Sequence, residues 1–191
     1  ACALELDSED DLLDVACGWG EFLVVHGSQA SRVAGIDWSQ EKVALARERL
    51  ADRIAAGTGE VAHGDAAEMP WDDGTFSAVT CMDAFPFFPD PHRVLTEMLR
   101  VLRPGGRMVM QIGMKWPDGL PKHILHPISH VDVSDEDAVR KLVEDAGVSE
   151  VAISYGPAGS TRVGNRASRL MVGSDETRII RAVKTEEAAD R

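Results

Sequence analysis

The chain has 191 residues, of which 44% are apolar, and a formal net charge of −12 at neutral pH. This length and composition fit one globular domain with a single core, and no apolar run is long enough for a membrane helix. The acidic excess argues against a protein that mainly binds nucleic acid, because binding to phosphates depends on Lys and Arg.

The three cysteines, Cys2, Cys17 and Cys81, are far apart in the sequence and odd in number. They match neither a disulfide framework nor a zinc site, so a reducing cytoplasm is the simplest setting. The first residues, ACALELDSEDD, lack the basic segment of a signal peptide, which agrees with that location.

Short apolar runs alternate with helical patterns along the chain. The strand candidates are Leu12–Ala16, Arg32–Asp37, Glu60–His63, Phe76–Met82, Arg107–Ile112, Val148–Tyr155 and Arg169–Gly173. The helix candidates are Gln40–Ile54 with Ser39 as N-cap, Pro91–Leu102, and Asp135–Ala146 between Ser134 and Gly147. The breaker cluster Arg103-Pro104-Gly105-Gly106 is predicted to end the second of these helices.

This alternation predicts an α/β fold with a mostly parallel sheet and helices on both of its faces. A Gly-rich loop, Gly156–Ala167, separates the last two strand candidates. They are therefore predicted to form a hairpin, with one antiparallel strand at the edge of the sheet. We assign residues 1–174 to one domain and residues 175–191 to a charged tail that is helical or frayed.

The first strand candidate runs into glycines in the stretch LLDVACGWGEF, Leu12–Phe22. Ligands of such sheets bind outside the carboxyl ends of the strands, and Gly18 and Gly20 let a ligand approach the backbone. The third glycine of a dinucleotide fingerprint is absent, and Glu21 would repel a phosphate at the helix start. A tight strand-to-helix turn without a ligand is the alternative interpretation.

Two further carboxylates follow the second and third strand candidates. Asp37 can accept hydrogen bonds from both hydroxyls of a ribose, and Trp38 can lie flat against an adenine. Asp65 can accept from an exocyclic amino group while the backbone N–H of Ala66 donates to a ring nitrogen, so the two would read an adenine edge. The alternatives are a solvated strand end for Asp37 and a core aromatic for Trp38.

Four segments, DVACGWG, VAGIDWS, GDAAEMPWDDGTFSAV and LRVLRPGGRMVM, follow one another along the chain. In this order and spacing they resemble the successive motifs of class I S-adenosylmethionine-dependent methyltransferases of the small-molecule type, over about Leu12 to Gly173. The resemblance implies a Rossmann-like, doubly wound sheet of seven strands with an antiparallel seventh strand. It also implies S-adenosyl-L-methionine as cofactor, and methyl transfer to a small-molecule acceptor by in-line SN2 displacement.

The same resemblance assigns cofactor-binding positions to the carboxyl ends of four strands. These positions are Asp14, Ala16, Gly18 and Gly20 at the methionine part, Asp37 at the ribose, Trp38, Asp65 and Ala66 at the adenine, and Met82 beside the cofactor. Asp83 would then point toward the substrate side.

A general base is needed only if the acceptor arrives protonated. The candidates for that base are His123, His126, His130 and Asp83. A histidine can take a proton near neutral pH, with plain loop histidines as the alternative. The histidine spacing would suit metal ligands on a helix, but Pro127 disfavours that helix, so we predict no metal site.

The chain departs from the family pattern at Trp19, where a small or hydroxyl residue is usual. This ring would either narrow the methionine pocket or cap it. Few residues precede the first strand, so a cover for the substrate would come from outside this chain, from Trp116–Val133, or from a partner chain. Phe85, Phe87 and Phe88 are candidates for lining the substrate side, with core packing as their alternative.

These departures motivate a second hypothesis, in which the domain is a non-catalytic methyltransferase-like binding module or a partner subunit. A nicotinamide-dependent dehydrogenase ranks third, because the third glycine is missing. For the leading hypothesis the expected partner is a small-molecule substrate, with no nucleic acid and no membrane, and a homodimer is left open.

Overall fold

The structure, a computed structural model, describes residues 4–112, 136–156 and 177–185. Seven strands form one sheet in the order β3-β2-β1-β4-β5-β7-β6. The strands are β1 (Asp11–Val15), β2 (Arg32–Asp37), β3 (Gly59–His63), β4 (Phe76–Met82), β5 (Leu102–Ile112), β6 (Val148–Gly156) and β7 (Thr177–Lys184). The helices are α1 (Glu21–His26), α2 (Gln40–Arg49), α3 (Ala51–Ala55), α4 (Pro91–Val101) and α5 (Glu136–Asp145), and two 3-10 turns span Gly27–Gln29 and Phe85–Phe87.

The five strands β3, β2, β1, β4 and β5 are parallel, with β1 paired to both β2 and β4. The last register pairs are Val15 with Ile36 on one side and Val15 with Cys81 on the other. The strand order reverses between β1 and β4, which is where parallel α/β sheets bind their ligands. The carboxyl ends of four neighbouring strands therefore meet at one edge.

Apolar side chains cover both faces of the sheet and form two cores. Alternation along β1 puts Leu13 and Val15 in the core shared with α4 and α5, while Leu12 lies in the core shared with α1 and α2. The helix α4 begins cleanly, because Asp90 caps it by accepting from the Arg93 N–H and because proline suits its first turn.

The predicted helices differ from the observed ones in detail. The predicted helix Gln40–Ile54 is two helices, α2 and α3, because the backbone leaves helical geometry at Leu50. The helix predicted over Asp135–Ala146 is α5, and its predicted cap, Ser134, lies outside the described residues.

The breaker cluster after α4 lies inside β5 rather than between two elements. Phe76 pairs with Leu102, and the next pair is Ala78 with Arg107, so the intervening residues of β5 bulge out of the ladder. A bulge of this kind accommodates glycine and proline without ending the strand.

The prediction of an antiparallel seventh strand is confirmed, and its predicted position is wrong. The antiparallel strand is β7, Thr177–Lys184, which falls in the segment predicted as a helical or frayed tail and past residue 174. The strand candidate Arg169–Gly173 lies outside the described residues. The strand β7 pairs with β5 and β6, so among the described strands it is one position in from the edge, and β6 is the outermost.

An ion pair between a buried carboxylate and a half-buried guanidinium lies at the amino end of β1, away from the ligand edge. Asp10, before β1, accepts hydrogen bonds from the Arg107 guanidinium and from the Ser77 hydroxyl. Arg107 also donates to the Leu4 carbonyl at 3.0 Å, which holds the start of the described chain against β5. Within the described segments, none of the helices has the length and apolar content needed to cross a membrane.

Candidate functional site

The turn after β1 leaves its backbone open where the ligand edge begins. Ala16, Gly18 and Gly20 have φ values of 59°, 55° and 76°, in the left-handed region that glycine adopts most easily. The N–H of Cys17 donates to Ile36 O at 3.0 Å, and Gly20 N–H donates to Cys17 O at 2.9 Å. Apart from Gly18 and its chain neighbours Cys17 and Trp19, no described residue has a heavy atom within 4 Å of a Cβ built at Gly18. The turn is therefore firmly held but bare on one side.

The second glycine of the turn has a different role from the first. A Cβ at Gly20 would lie 3.2 Å from Ala46 Cβ, so this glycine lets α1 start close against α2. Gly18 thus leaves one side of the turn open, and Gly20 allows close packing between α1 and α2.

Asp37 joins the ends of β1 and β2. Its side chain is buried, with 4% of the residue's surface exposed. One carboxylate oxygen accepts from Gly18 N–H and the other from Ser39 N–H, both at 2.9 Å. A carboxylate offers about four lone-pair positions, so two backbone bonds leave it able to accept from a ligand. The interpretation of Asp37 as a solvated strand end is wrong.

Asp14 is a buried carboxyl directly beneath the turn. Thr80 on β4 donates a hydrogen bond to its Oδ1 at 2.8 Å. Burial raises the pKa of Asp14 to about 7, the hydrogen bond from Thr80 lowers it, and the charge of Asp37 raises it. Burial likewise raises the pKa of the neighbouring Cys17 thiol, so this cysteine is a packed, unreactive group.

Trp38 lies on the surface beside Asp37. It is 79% exposed, so the interpretation as a core aromatic is wrong. The imidazole of His63, at the end of β3, donates from Nε2 to Trp38 O at 3.0 Å and holds this backbone in place. The indole ring is therefore available as a flat wall at the ligand edge.

The chain after β3 brings another carboxylate to the same edge. Gly64 N–H donates to Asp37 O at 3.2 Å, which keeps this segment next to the end of β2. Asp65 is exposed, and its Oδ1 accepts from Ala67 N–H at 2.8 Å. Ala66 faces inward and is buried in the core. The structure thus brings Asp65 and Asp37 to adjacent strand ends.

The end of β4 carries Met82, which is half-buried, and Asp83, whose φ of 56° is unusual for a residue other than glycine. Asp83 N–H donates to Gln111 O, and Gln111 Nε2 donates to Asp83 Oδ2, both at 2.9 Å. Sequence reasoning missed Gln111. The available signal was a polar residue within the apolar run RMVMQI of β5.

The phenylalanines after β4 divide between the core and the surface. Phe85 is fully buried and packs edge-on against Phe88 at a centroid distance of 6.1 Å, so core packing is its role. Phe87 is 52% exposed and stays a candidate for the substrate side. The histidine candidates His123, His126 and His130 lie outside the described residues.

Trp19 stands between the two glycines of the turn and is partly exposed. It is 38% exposed, and its indole Nε1 donates to Glu21 Oε2 at 3.2 Å. This bond holds the ring beside the first residue of α1. The carboxylate of Glu21 places a negative charge next to the turn, which repels a phosphate and suits a neutral or cationic group.

Comparisons with known proteins agree with this geometry. A family model described as "Methyltransferase domain" matches residues 13–110. The demethylmenaquinone methyltransferase of Clavibacter sepedonicus is 37% identical over 101 residues, which cover 52% of this chain and 39% of that protein. The chain thus spans less than half the length of this curated relative.

Solved structures share the fold. A geranyl diphosphate C-methyltransferase from Streptomyces coelicolor, solved with Mg²⁺, geranyl diphosphate and S-adenosyl-L-homocysteine, superposes with a TM-score of 0.72 at 18% identity, covering 95% of this chain and 75% of that one. The [4+2]-cyclase SpnF superposes with a TM-score of 0.71 at 23% identity, covering 94% and 76%. At such identities the likeness concerns the fold alone.

Proposed function

The chain belongs to the methyltransferase domain family, and we propose that it transfers a methyl group from S-adenosylmethionine to a small organic acceptor. One observation carries the proposal: Asp37 at the end of β2 holds the Gly18 amide of the bare turn after β1. A ligand with an amino-acid tail and a ribose needs this combination of open backbone and a buried acceptor.

The residues at the ligand edge fit each part of that cofactor. The amino-acid tail would lie over Gly18, where the described atoms leave space, and its ammonium would offset the burial that disfavours a charged Asp14. The ribose hydroxyls would donate to Asp37. The adenine would lie against Trp38, with Asp65 at its amino edge.

The main task of this chain's residues is positioning. S-adenosylmethionine, when bound, supplies an electrophilic methyl group on a sulfonium whose leaving group is a neutral thioether, and we propose an in-line SN2 displacement. Holding two reactants in line can lower the barrier by about 7–11 kcal/mol. The glycine turn and Asp37 orient one reactant through fixed backbone and carboxylate contacts.

A base is needed only for an acceptor that arrives protonated. Asp83 is the candidate within the described residues, since it lies at the end of β4 and its Oδ2 is oriented by Gln111. It would take the acceptor's proton at a carboxylate oxygen. We propose three histidines outside the described residues as alternative bases, with equal standing: His123, His126 and His130.

The experiment that tests the function is cofactor binding followed by turnover. Isothermal titration with S-adenosylmethionine and with S-adenosylhomocysteine should give saturable binding. The absence of any binding heat at about millimolar ligand would refute the proposal. Labelled methyl transfer is then assayed with a panel of phenols, amines and acids. Naphthoquinols come first, because the curated relative is named a demethylmenaquinone methyltransferase.

The binding module or partner subunit is the second candidate. It is favoured by Trp19, which stands between the two glycines of the turn and donates from its indole Nε1 to Glu21. Saturable cofactor binding without methyl transfer to any member of the panel would favour this candidate.

We also propose a reducing, cytoplasmic setting, because the described cysteines Cys17 and Cys81 are free and buried. With a net charge of −12, a small molecule is a better partner than nucleic acid. Sedimentation of the purified chain would decide between a monomer and a homodimer.

A further inference from the structure

The loop between β3 and β4, residues 64–75, has no helix or strand of its own, yet it contains both groups proposed to read the adenine. A buried backbone polar group must find a hydrogen-bond partner, and an irregular loop finds few within itself. Three side chains on one face of α4 supply such partners. These side chains follow one another at the spacing of successive helical turns. We call them the α4 brace: Arg93, Glu97 and Arg100.

The brace contacts the backbone of this loop at every second residue from Ala67 to Trp71. Arg93 Nε donates to Ala67 O at 2.9 Å. Glu97 Oε2 accepts from Met69 N–H at 2.8 Å, and Arg100 Nη2 donates to Met69 O at 3.1 Å. The first contact is only two residues from Asp65, so the brace begins where the proposed adenine contacts end.

Arg100 engages all five of its guanidinium donors. Besides Met69 O, it donates to Trp71 O at 2.8 Å and to Asp73 Oδ1 at 2.8 Å. Two further bonds go to Glu97, from Nε at 2.7 Å and from Nη2 at 2.9 Å. The hydrogen bonds from Arg100 lower the pKa of Glu97, so the pair stays ionised near neutral pH. A lysine cannot reproduce this planar set of donors.

We propose that Arg100 is a positioning residue for adenine recognition: together with Glu97 it holds the β3–β4 loop against α4, and so sets where Asp65 and the Ala66 N–H meet the base. This proposal rests on the proposed function. Asp65 makes no hydrogen bond to the brace; its Oδ1 accepts from the backbone N–H of Ala67. The carbonyl oxygen of the same Ala67 accepts from Arg93. The brace therefore acts on the base through the backbone.

The test compares two ligands that differ at the edge of the base. S-inosylhomocysteine carries a carbonyl in place of the 6-amino group and a proton on the adjacent ring nitrogen. The carbonyl would face the Asp65 carboxylate, and the ring N–H would face the Ala66 N–H, so both contacts turn repulsive. Wild-type protein should bind S-adenosylhomocysteine about tenfold or more tightly than S-inosylhomocysteine by isothermal titration.

The Arg100→Ala variant should lose most of this preference, as should Asp65→Ala, and the double variant should lose no more than either one. Arg140→Ala is the matched control, because Arg140 on α5 also donates to a backbone carbonyl, that of Val151, and to a helix carboxylate, Glu136. It should keep the wild-type preference. Arg100→Lys is the second variant, should Arg100→Ala fail to fold.

The outcomes separate the two proposals. Failure of the wild-type protein to bind either ligand refutes the proposed function. Binding with equal affinity for both ligands overturns base reading at Asp65 and this inference with it. A folded Arg100 variant that keeps the wild-type ratio, or that weakens both ligands by the same factor, also overturns the inference, because a merely structural role changes affinity without changing the preference.

Discussion

Replacing Asp14 with Asn should make the free energy of unfolding less dependent on pH. Burial raises the pKa of this carboxyl to about 7 in the folded protein, although Thr80 donates a hydrogen bond to it. In the unfolded chain an aspartate titrates at about 3.9. Between these values the folded state keeps a proton that the unfolded state has lost, so the stability of the wild-type protein falls as the pH rises.

The magnitude follows from the width of that window. Each pH unit within it costs up to about 1.4 kcal/mol, so the wild type should lose about 1.6 kcal/mol between about pH 5.5 and 7, and about 2 kcal/mol by about pH 8, where the loss levels off. Asparagine keeps the shape and the acceptor oxygen for Thr80 but carries no charge. The advantage of Asp14→Asn over the wild type should therefore grow by about 2 kcal/mol from about pH 5.5 to 8.

Urea unfolding at several pH values, followed by circular dichroism, measures this difference. Asp10→Asn is the control. Burial raises the pKa of Asp10, but hydrogen bonds from Ser77 and Asp7 N–H, with the Arg107 charge, outweigh burial and hold that pKa below its ordinary value. Asp10 is thus charged throughout the range, and its variant should show a constant loss. A constant difference for Asp14→Asn would refute the reasoning.

Three further outcomes are expected. Asp37→Ala should weaken S-adenosylhomocysteine binding at least about tenfold, because the ribose and the Gly18 amide lose one acceptor; an unchanged titration would place the ribose elsewhere. Gly20→Ala should lower the free energy of unfolding by about 1 kcal/mol more than Gly18→Ala does. Both glycines have positive φ, but only the new Cβ at position 20 would press on Ala46, and equal urea midpoints for the two variants would contradict this. Thr80→Val should raise the pKa of Asp14 further, because its carboxyl loses a hydrogen-bond donor. The pH above which the free energy of unfolding stops falling should therefore increase, and an unchanged pH profile would count against the Thr80–Asp14 bond.

The first four strands could be predicted because they are short apolar runs that end at polar or glycine residues. Phe76–Met82 is buried along nearly its whole length, and its mostly apolar sequence indicates a buried strand. The strand β7 was missed because it carries Arg178, Arg181 and Lys184 among its apolar residues, a pattern that also fits a charged tail. Its buried positions, Ile180 and Ala182, become visible only once β5 and β6 flank it.

The candidate site shows a similar division. Asp37 and Asp65 could be placed at the ligand edge because their positions at strand ends follow from chain order and parallel pairing. The bond between Gln111 and Asp83 joins residues that are 28 apart in the sequence, one on β5 and one directly after β4, and the register that brings them together depends on the bulge in β5. No local sequence pattern encodes that register.

The position of β7 within the sheet also sets the order in which the fold can be completed. Thr177–Lys184 is synthesised after every other described element, yet it lies between two strands made before it. Until it arrives, β5 ends the sheet with an open edge, and β6 lacks the strand with which it pairs among the described residues. A chain cut before Thr177 would keep the ligand edge of β1 to β4 but expose β5 to pairing with other chains. The last strand thus covers the open edge of β5 only in the completed chain, and its Ile179 pairs with Gln111, the residue that orients Asp83.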